Sequence, residues 1–181
     1  EAAFRKTSEF LPVECLVVNN IFRDQLDRYG EITHTLNAIR EGITEKELSS
    51  KVEHFFQEKG CDHLGFSIVA MGANGADPHH GPDGTVLKEG DSIVMDIGAP
   101  FNHYWCDMTR TVFYKSASEE QRTVYETVRR ANEAAIAVVK PGVAFKEIDL
   151  AARKVIEDAG YGEYFTHRTG HSIGMKEHER P

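Results

Sequence analysis

Between residues 44 and 59 the apolar side chains Leu48, Val52, Phe55 and Phe56 recur at the spacing of one helix face, with mostly polar residues between them. The same pattern returns near 145–160, where Ile148, Ala152, Val155 and Ile156 form the stripe and Gly160 ends it. Ser118 with Gln121 three residues on makes a capping box for a further helix, which stops at Lys140, Pro141 and Gly142. A long helix is also predicted near 19–40. Phe66 to Ala70 reads as a strand, and 72–82 as a loop. Two β-rich runs, 92–97 and 104–114, flank Pro100, Phe101, Asn102 and His103, which have turn chemistry, so a hairpin is predicted there. From Tyr164 onward the pattern again looks extended.

Sliding the chain against itself by 100 positions lays Gly42 to Leu48 on Gly142 to Ile148 and brings Lys46, Glu47 and Gly60 onto Lys146, Glu147 and Gly160. An offset of 99 then aligns Phe66 with Phe165, Gly75 with Gly174, His79 with His178 and Pro82 with Pro181. Two amphipathic helices ending in glycine can look alike by chance, but the matched histidines and prolines extend beyond the helices. No low-complexity stretch or linker separates the halves, so they are predicted to form one pseudo-symmetric domain rather than two.

The 181 residues carry 29 acidic against 21 basic side chains, a formal charge of -8, with no basic cluster able to follow a phosphate backbone. Nucleic acid is not an expected partner. Nor is a membrane, because no apolar run approaches the ~20 residues of a spanning helix. Cys15, Cys61 and Cys106 are odd in number and far apart, which fits neither a disulfide framework nor a zinc knuckle and points to a reducing, cytoplasmic location. The first residue is not Met and the last follows a Glu-Arg pair, so the chain is expected to be cut at both ends.

Asp96 and Asp107 each interrupt an apolar strand, where isolated charge is costly. A hairpin centred between Phe101 and Asn102 makes them direct cross-strand neighbours. Like charges in that position destabilise a sheet unless something positive lies between them, and a divalent cation would serve. A protonated carboxyl pair, a salt bridge from Arg110 or a bulge separating the two would also serve. Six histidines, His79, His80, His103, His167, His171 and His178, add imidazole, which together with carboxylate suits Mn, Co, Fe or Zn. His171 stands in a glycine-flanked segment between Gly170 and Gly174, as open to a loop reading as to a ligand reading, and His80, His103 and His167 stay unassigned.

Four segments at these spacings resemble the prolidase, aminopeptidase P, creatinase and methionine aminopeptidase superfamily, peptidase family M24, over roughly residues 30–181. They are the loop from Gly72 through His79 and His80 to Pro82, the strand around Asp96, the string Asp107, Met108, Thr109, Arg110, Thr111, and the stretch from Thr169 through His171 to His178 and Pro181. The Pro78-His79 pair and the Asp107 string are most similar to the Xaa-Pro dipeptidase branch. The resemblance implies an α+β fold with pseudo-twofold "pita-bread" symmetry, residues 30–181 being an incomplete catalytic domain and 1–29 an unassigned segment. It also implies two divalent metal ions (Mn, Co, Fe or Zn), with Asp96 binding one, Asp107 bridging both and His171 binding the other. His79 and His178 become the substrate-facing catalytic residues, His178 stabilising the oxyanion and His79 hydrogen bonding near the scissile bond. The implied substrate is a short proline-containing peptide, and homodimers are common in the superfamily.

The family's last two metal ligands are glutamates on strands that would follow Pro181, so the fold is expected to be truncated before them and this chain alone inactive. A creatinase-like non-peptide hydrolase and a metal-free peptide-binding module on the same fold remain as alternatives. Trp105, beside Asp107, either shapes a specificity pocket or packs in the core.

Overall fold

The computed structural model describes residues 38–180, and the predicted helix near 19–40 lies almost wholly outside them. The described residues group into two compact units, 38–117 with 173–180, and 118–172.

In the first unit helix α1, Glu45–Glu58, begins at Thr44, whose hydroxyl accepts from the Glu47 N–H while the Glu47 carboxylate accepts from the Thr44 N–H. This reciprocal cap satisfies two of the four N–H groups that every helix start leaves without a helical partner. Three strands follow, β1 Phe66–Met71, β2 Ser92–Phe101 and β3 Tyr104–Phe113, forming an antiparallel sheet in the order β1-β2-β3. Alternation along β2 turns Ile93, Met95, Ile97 and Ala99 to one face, where they join Val69 and Met71 of β1 under Leu48, Val52 and Phe56 of α1. Full burial of a Val, Leu, Ile, Phe or Met side chain stabilises a fold by roughly 1.5–3 kcal/mol. The opposite face carries Asp96.

The second unit is a helix pair, α2 Glu119–Val138 and α3 Phe145–Asp158, in which Ala131 and Ala135 meet Ala152 and Ile156. The Ser118–Gln121 capping box forms as predicted. Residues beyond Tyr164 form no named strand, contrary to the extended reading. Instead Gly162–Tyr164 is a 3₁₀ turn, and Arg153 of α3 holds the carbonyls of Phe165 and His167 at 2.9 and 3.0 Å, taking the place of a strand partner.

The repeat survives in backbone detail. α1 and α3 each span 14 residues, 100 positions apart. Gly60 and Gly160, just past their ends, have φ +78° and +85°, a conformation L side chains rarely adopt. The N–H groups of Cys61 and Tyr161 reach back to the carbonyls of Phe56 and Ile156 in the same way. A polar residue at the same helix position then ties each helix to the segment after it: Ser49 to Ser67 at 3.0 Å, and Asp149 to the Thr169 N–H at 2.8 Å.

Candidate metal and substrate site

Both hairpin aspartates stand on the sheet face turned away from α1, but not directly opposite one another. Asp96 pairs with Thr109, and Asp107 with Gly98. The turn is one residue later than predicted, because Asn102 and His103 both adopt positive φ, +49° and +69°, the signature of a two-residue type I′ turn that closes on Phe101 and Tyr104. Sliding the register by two keeps every side chain on its face. The carboxylates therefore become diagonal neighbours, with α-carbons about 7–8 Å apart rather than ~5 Å, room for cations between them. Pairing is unbroken from Ser92–Phe113 to Phe101–Tyr104, so no bulge separates them, and Arg110, opposite Met95, belongs to the other face.

Neighbouring groups shape this face. The Thr109 hydroxyl donates to Asp96 Oδ1 at 2.6 Å, aiming that carboxylate. Gly98 leaves the space in which the Phe66 ring lies: a β-carbon there would stand 2.2 Å from Cε1. Trp105, two residues before Asp107 on the same face, lies against Gly65, whose β-carbon would come within 2.1 Å of its Cζ3, and meets His63 edge to face at 5.9 Å. The Trp105 backbone N–H donates to the Gly174 carbonyl at 2.8 Å, which brings the segment bearing His178 to the edge of β3. Trp105 is therefore not among the core residues under α1: it stands half-buried on the face that bears Asp107, against Gly65 and His63.

His79 lies exposed in the connection between β1 and β2, where its N–H donates to Asp77 Oδ1 at 3.0 Å. That connection is anchored by Glu45, a residue the sequence reading passed over. The Glu45 carboxylate is fully buried. Its Oε1 accepts from the Met71 N–H at 2.7 Å and Asn74 Nδ2 at 3.0 Å, and its Oε2 from the Asp83 N–H at 3.0 Å, with His80 Nε2 at 2.6 Å. The clue was available: Glu45 stands three and seven residues before Leu48 and Val52, on the apolar stripe of the helix. Hydrogen bonding to Glu45 raises the His80 pKa against the opposing effect of its burial. The stabilisation from this pair is therefore complete below about 6.5 and fades as pH rises through the higher folded value. Ligand atoms of Glu45, His80 and Asp83 lie within 4.8 Å of one another. A carboxylate has about four acceptor sites, and all four are occupied on Glu45, so the cluster is organised as a tether rather than a cation site.

His171 Nδ1 lies 3.1 Å from the Ser172 carbonyl. The loop before it is fixed by Asp149, which accepts from both the N–H and the hydroxyl of Thr169 and pairs with Arg153. Those bonds, the Thr169 N–H foremost, hold the Asp149 pKa below the usual carboxylate value. His167 packs edge to face on Phe165 at 5.1 Å. His178 is exposed, 3.5 Å from Glu177. His103 serves the turn through its backbone, its N–H donating to Asp62 at 2.8 Å.

Two half-buried carboxylates on one sheet face fit the ligand preference of hard to borderline divalent cations such as Mn, Co, Fe or Zn. Residues 27–181 match metallopeptidase family M24. The chain belongs to that family. It is 40% identical over 147 residues to the Xaa-Pro dipeptidase of Pyrococcus furiosus, covering 81% of this chain and 42% of the relative. To the Xaa-Pro dipeptidase of Lactobacillus helveticus it is 42% identical, covering 80% and 40%. The prolidase of Thermococcus sibiricus superposes with a TM-score of 0.82 at 40% identity, over 85% of this chain and 42% of that one. The X-Pro aminopeptidase of Thermotoga maritima gives 0.80 at 38%, over 87% and 44%. The chain thus has the prolidase pita-bread fold and spans about two fifths of the length of the curated relatives it matches. Among the described residues no helix is long and apolar enough to cross a membrane.

Proposed function

We propose that this chain is part of the catalytic domain of a dinuclear metallopeptidase that hydrolyses the bond preceding proline in dipeptides or short peptides. The observation that carries the reading is the placement of Asp96 and Asp107 on one face of the β2–β3 hairpin, and its support is the identity to Xaa-Pro dipeptidases. Asp96, Asp107 and His171 would be this chain's ligands to the two divalent cations. Two further ligands, glutamates, lie beyond Pro181 in the longer protein. When bound, the cations polarise the scissile carbonyl and activate the attacking water. His178 donates to the oxygen on which negative charge develops. An Xaa-Pro nitrogen carries no proton, so His79 serves by hydrogen bonding to the acceptors around it. A cytoplasmic location and a homodimeric state complete the proposal.

The test is metal content after equilibration with manganese and removal of free ion. The longer protein retains about two ions per chain and this polypeptide close to none. In the longer protein, Asp107→Ala abolishes cleavage of Xaa-Pro dipeptides. Unchanged turnover in that variant, with metal still bound, refutes the assignment.

A further inference from the structure

His79 stands in a long connection between β1 and β2 that has little regular structure, yet a substrate-facing side chain must be held to within a fraction of an ångström to be useful. The hydrogen bonds supply the restraint. Glu45 receives donors from one end of the connection at Met71 and Asn74, and from the stretch just beyond His79 at His80 and Asp83. It sits on the first turn of α1, which is packed into the core through Leu48 and Val52. Asn74 also donates to the Thr85 hydroxyl at 3.1 Å, and the Glu45 and Lys46 N–H groups donate to the carbonyls of Thr85 and Asp83. The helix start and the loop are thus bonded in both directions. Of the Glu45 partners, His80 is the residue adjoining His79. Its side chain is 14% exposed, against none for Glu45.

We infer that Glu45 and His80 are a positioning pair that fixes His79 over the substrate face of the site, an inference resting on the role proposed above for His79. Neither touches substrate. Their effect passes through the backbone of residues 79 and 80, so their loss lowers turnover without removing metal.

Glu45→Gln sets an amide N–H₂ against existing donors in a buried place and is prone to misfold, so the decisive variants are at His80. His80→Leu keeps the bulk and removes the donor, whereas His80→Gln restores an N–H to Glu45. Both are made in the full-length protein loaded with manganese and assayed on an Xaa-Pro dipeptide. His80→Leu lowers kcat by more than about fivefold with KM and manganese content unchanged, and His80→Gln recovers most of the loss. A smaller drop, or a loss that His80→Gln shares, overturns the inference. If the unmodified protein binds manganese but cleaves no such peptide, the proposed function fails and the tether is judged by hydrogen exchange. There the Asp83 amide exchanges more than about fivefold faster in His80→Leu than in the unmodified protein, and equal rates overturn it.

Discussion

Gly65→Ala is a one-carbon perturbation beside the proposed site. The added carbon would stand 2.1 and 2.4 Å from Cζ3 and Cη2 of Trp105 and 2.8 Å from the carbonyl oxygen of Gly98. Carbon atoms in contact settle near 3.5 Å, so the indole must retreat by more than about an ångström. The Gly98 carbonyl cannot retreat with it, since it accepts the Gly65 N–H at 3.0 Å and lies in a continuous strand pair. Overpacking of this kind costs about 1–3 kcal/mol, and the backbone contact puts the expected loss near the middle, about 2 kcal/mol. Trp105 is the only tryptophan in the chain, which makes its fluorescence a reporter of this one location. Urea unfolding followed at that emission gives the stability loss, and a red-shifted folded-state spectrum shows the ring pushed towards water. With Trp105→Leu in the background, followed by circular dichroism, the cost of Gly65→Ala falls, because only the carbonyl contact remains. A loss below about 0.5 kcal/mol with unchanged emission refutes the packing argument.

Thr109→Val removes the hydroxyl that aims Asp96 while keeping its shape. Manganese affinity of the longer protein should fall by about 10–100-fold, read by competition with a chelating dye, and unaltered affinity would show that the hydroxyl does not orient the ligand. Asp149 has a folded pKa below its unfolded value, so its stabilisation is complete above about 4 and disappears as pH falls through the lower folded value. Thermal midpoints measured from pH 6 to 2 should therefore fall more steeply for the unmodified protein than for Asp149→Asn. Parallel curves would remove Asp149 as an acid-sensitive brace of the His171 loop.

Helix positions were legible because period and caps agree. Ser118 announces a start three residues before Gln121, and glycines mark the ends of α1 and α3, while the matching Thr44–Glu47 box was passed over. The hairpin was legible in place but not in register. Phe101 was assigned to the turn for its neighbours' chemistry, whereas the positive φ falls on Asn102, whose short polar side chain tolerates it, and on His103. The site was only half legible. Carboxylates in apolar strands stand out as costly, so Asp96 and Asp107 could be singled out. A loop histidine costs nothing in the same pattern, and what separates His80, half-buried on Glu45, from exposed His79 is a long-range hydrogen bond with no local trace. Beyond Tyr164 the contacts that fix the segment are likewise long-range, Arg153 reaching from α3 to the carbonyls of Phe165 and His167.

The two faces of β2 divide the protein's vulnerabilities by parity. At positions 93, 95, 97 and 99 a substitution meets the interior under α1, and at 96 it meets the proposed chemistry; 98 is the exception, where any side chain meets the Phe66 ring. A saturation survey of this strand, scored separately for soluble yield and for turnover, should lose yield at 93, 95, 97, 98 and 99 and turnover alone at 96. Selection can then retune the face that bears Asp96 only where no ring already fills it, leaving undisturbed the side that keeps the molecule folded.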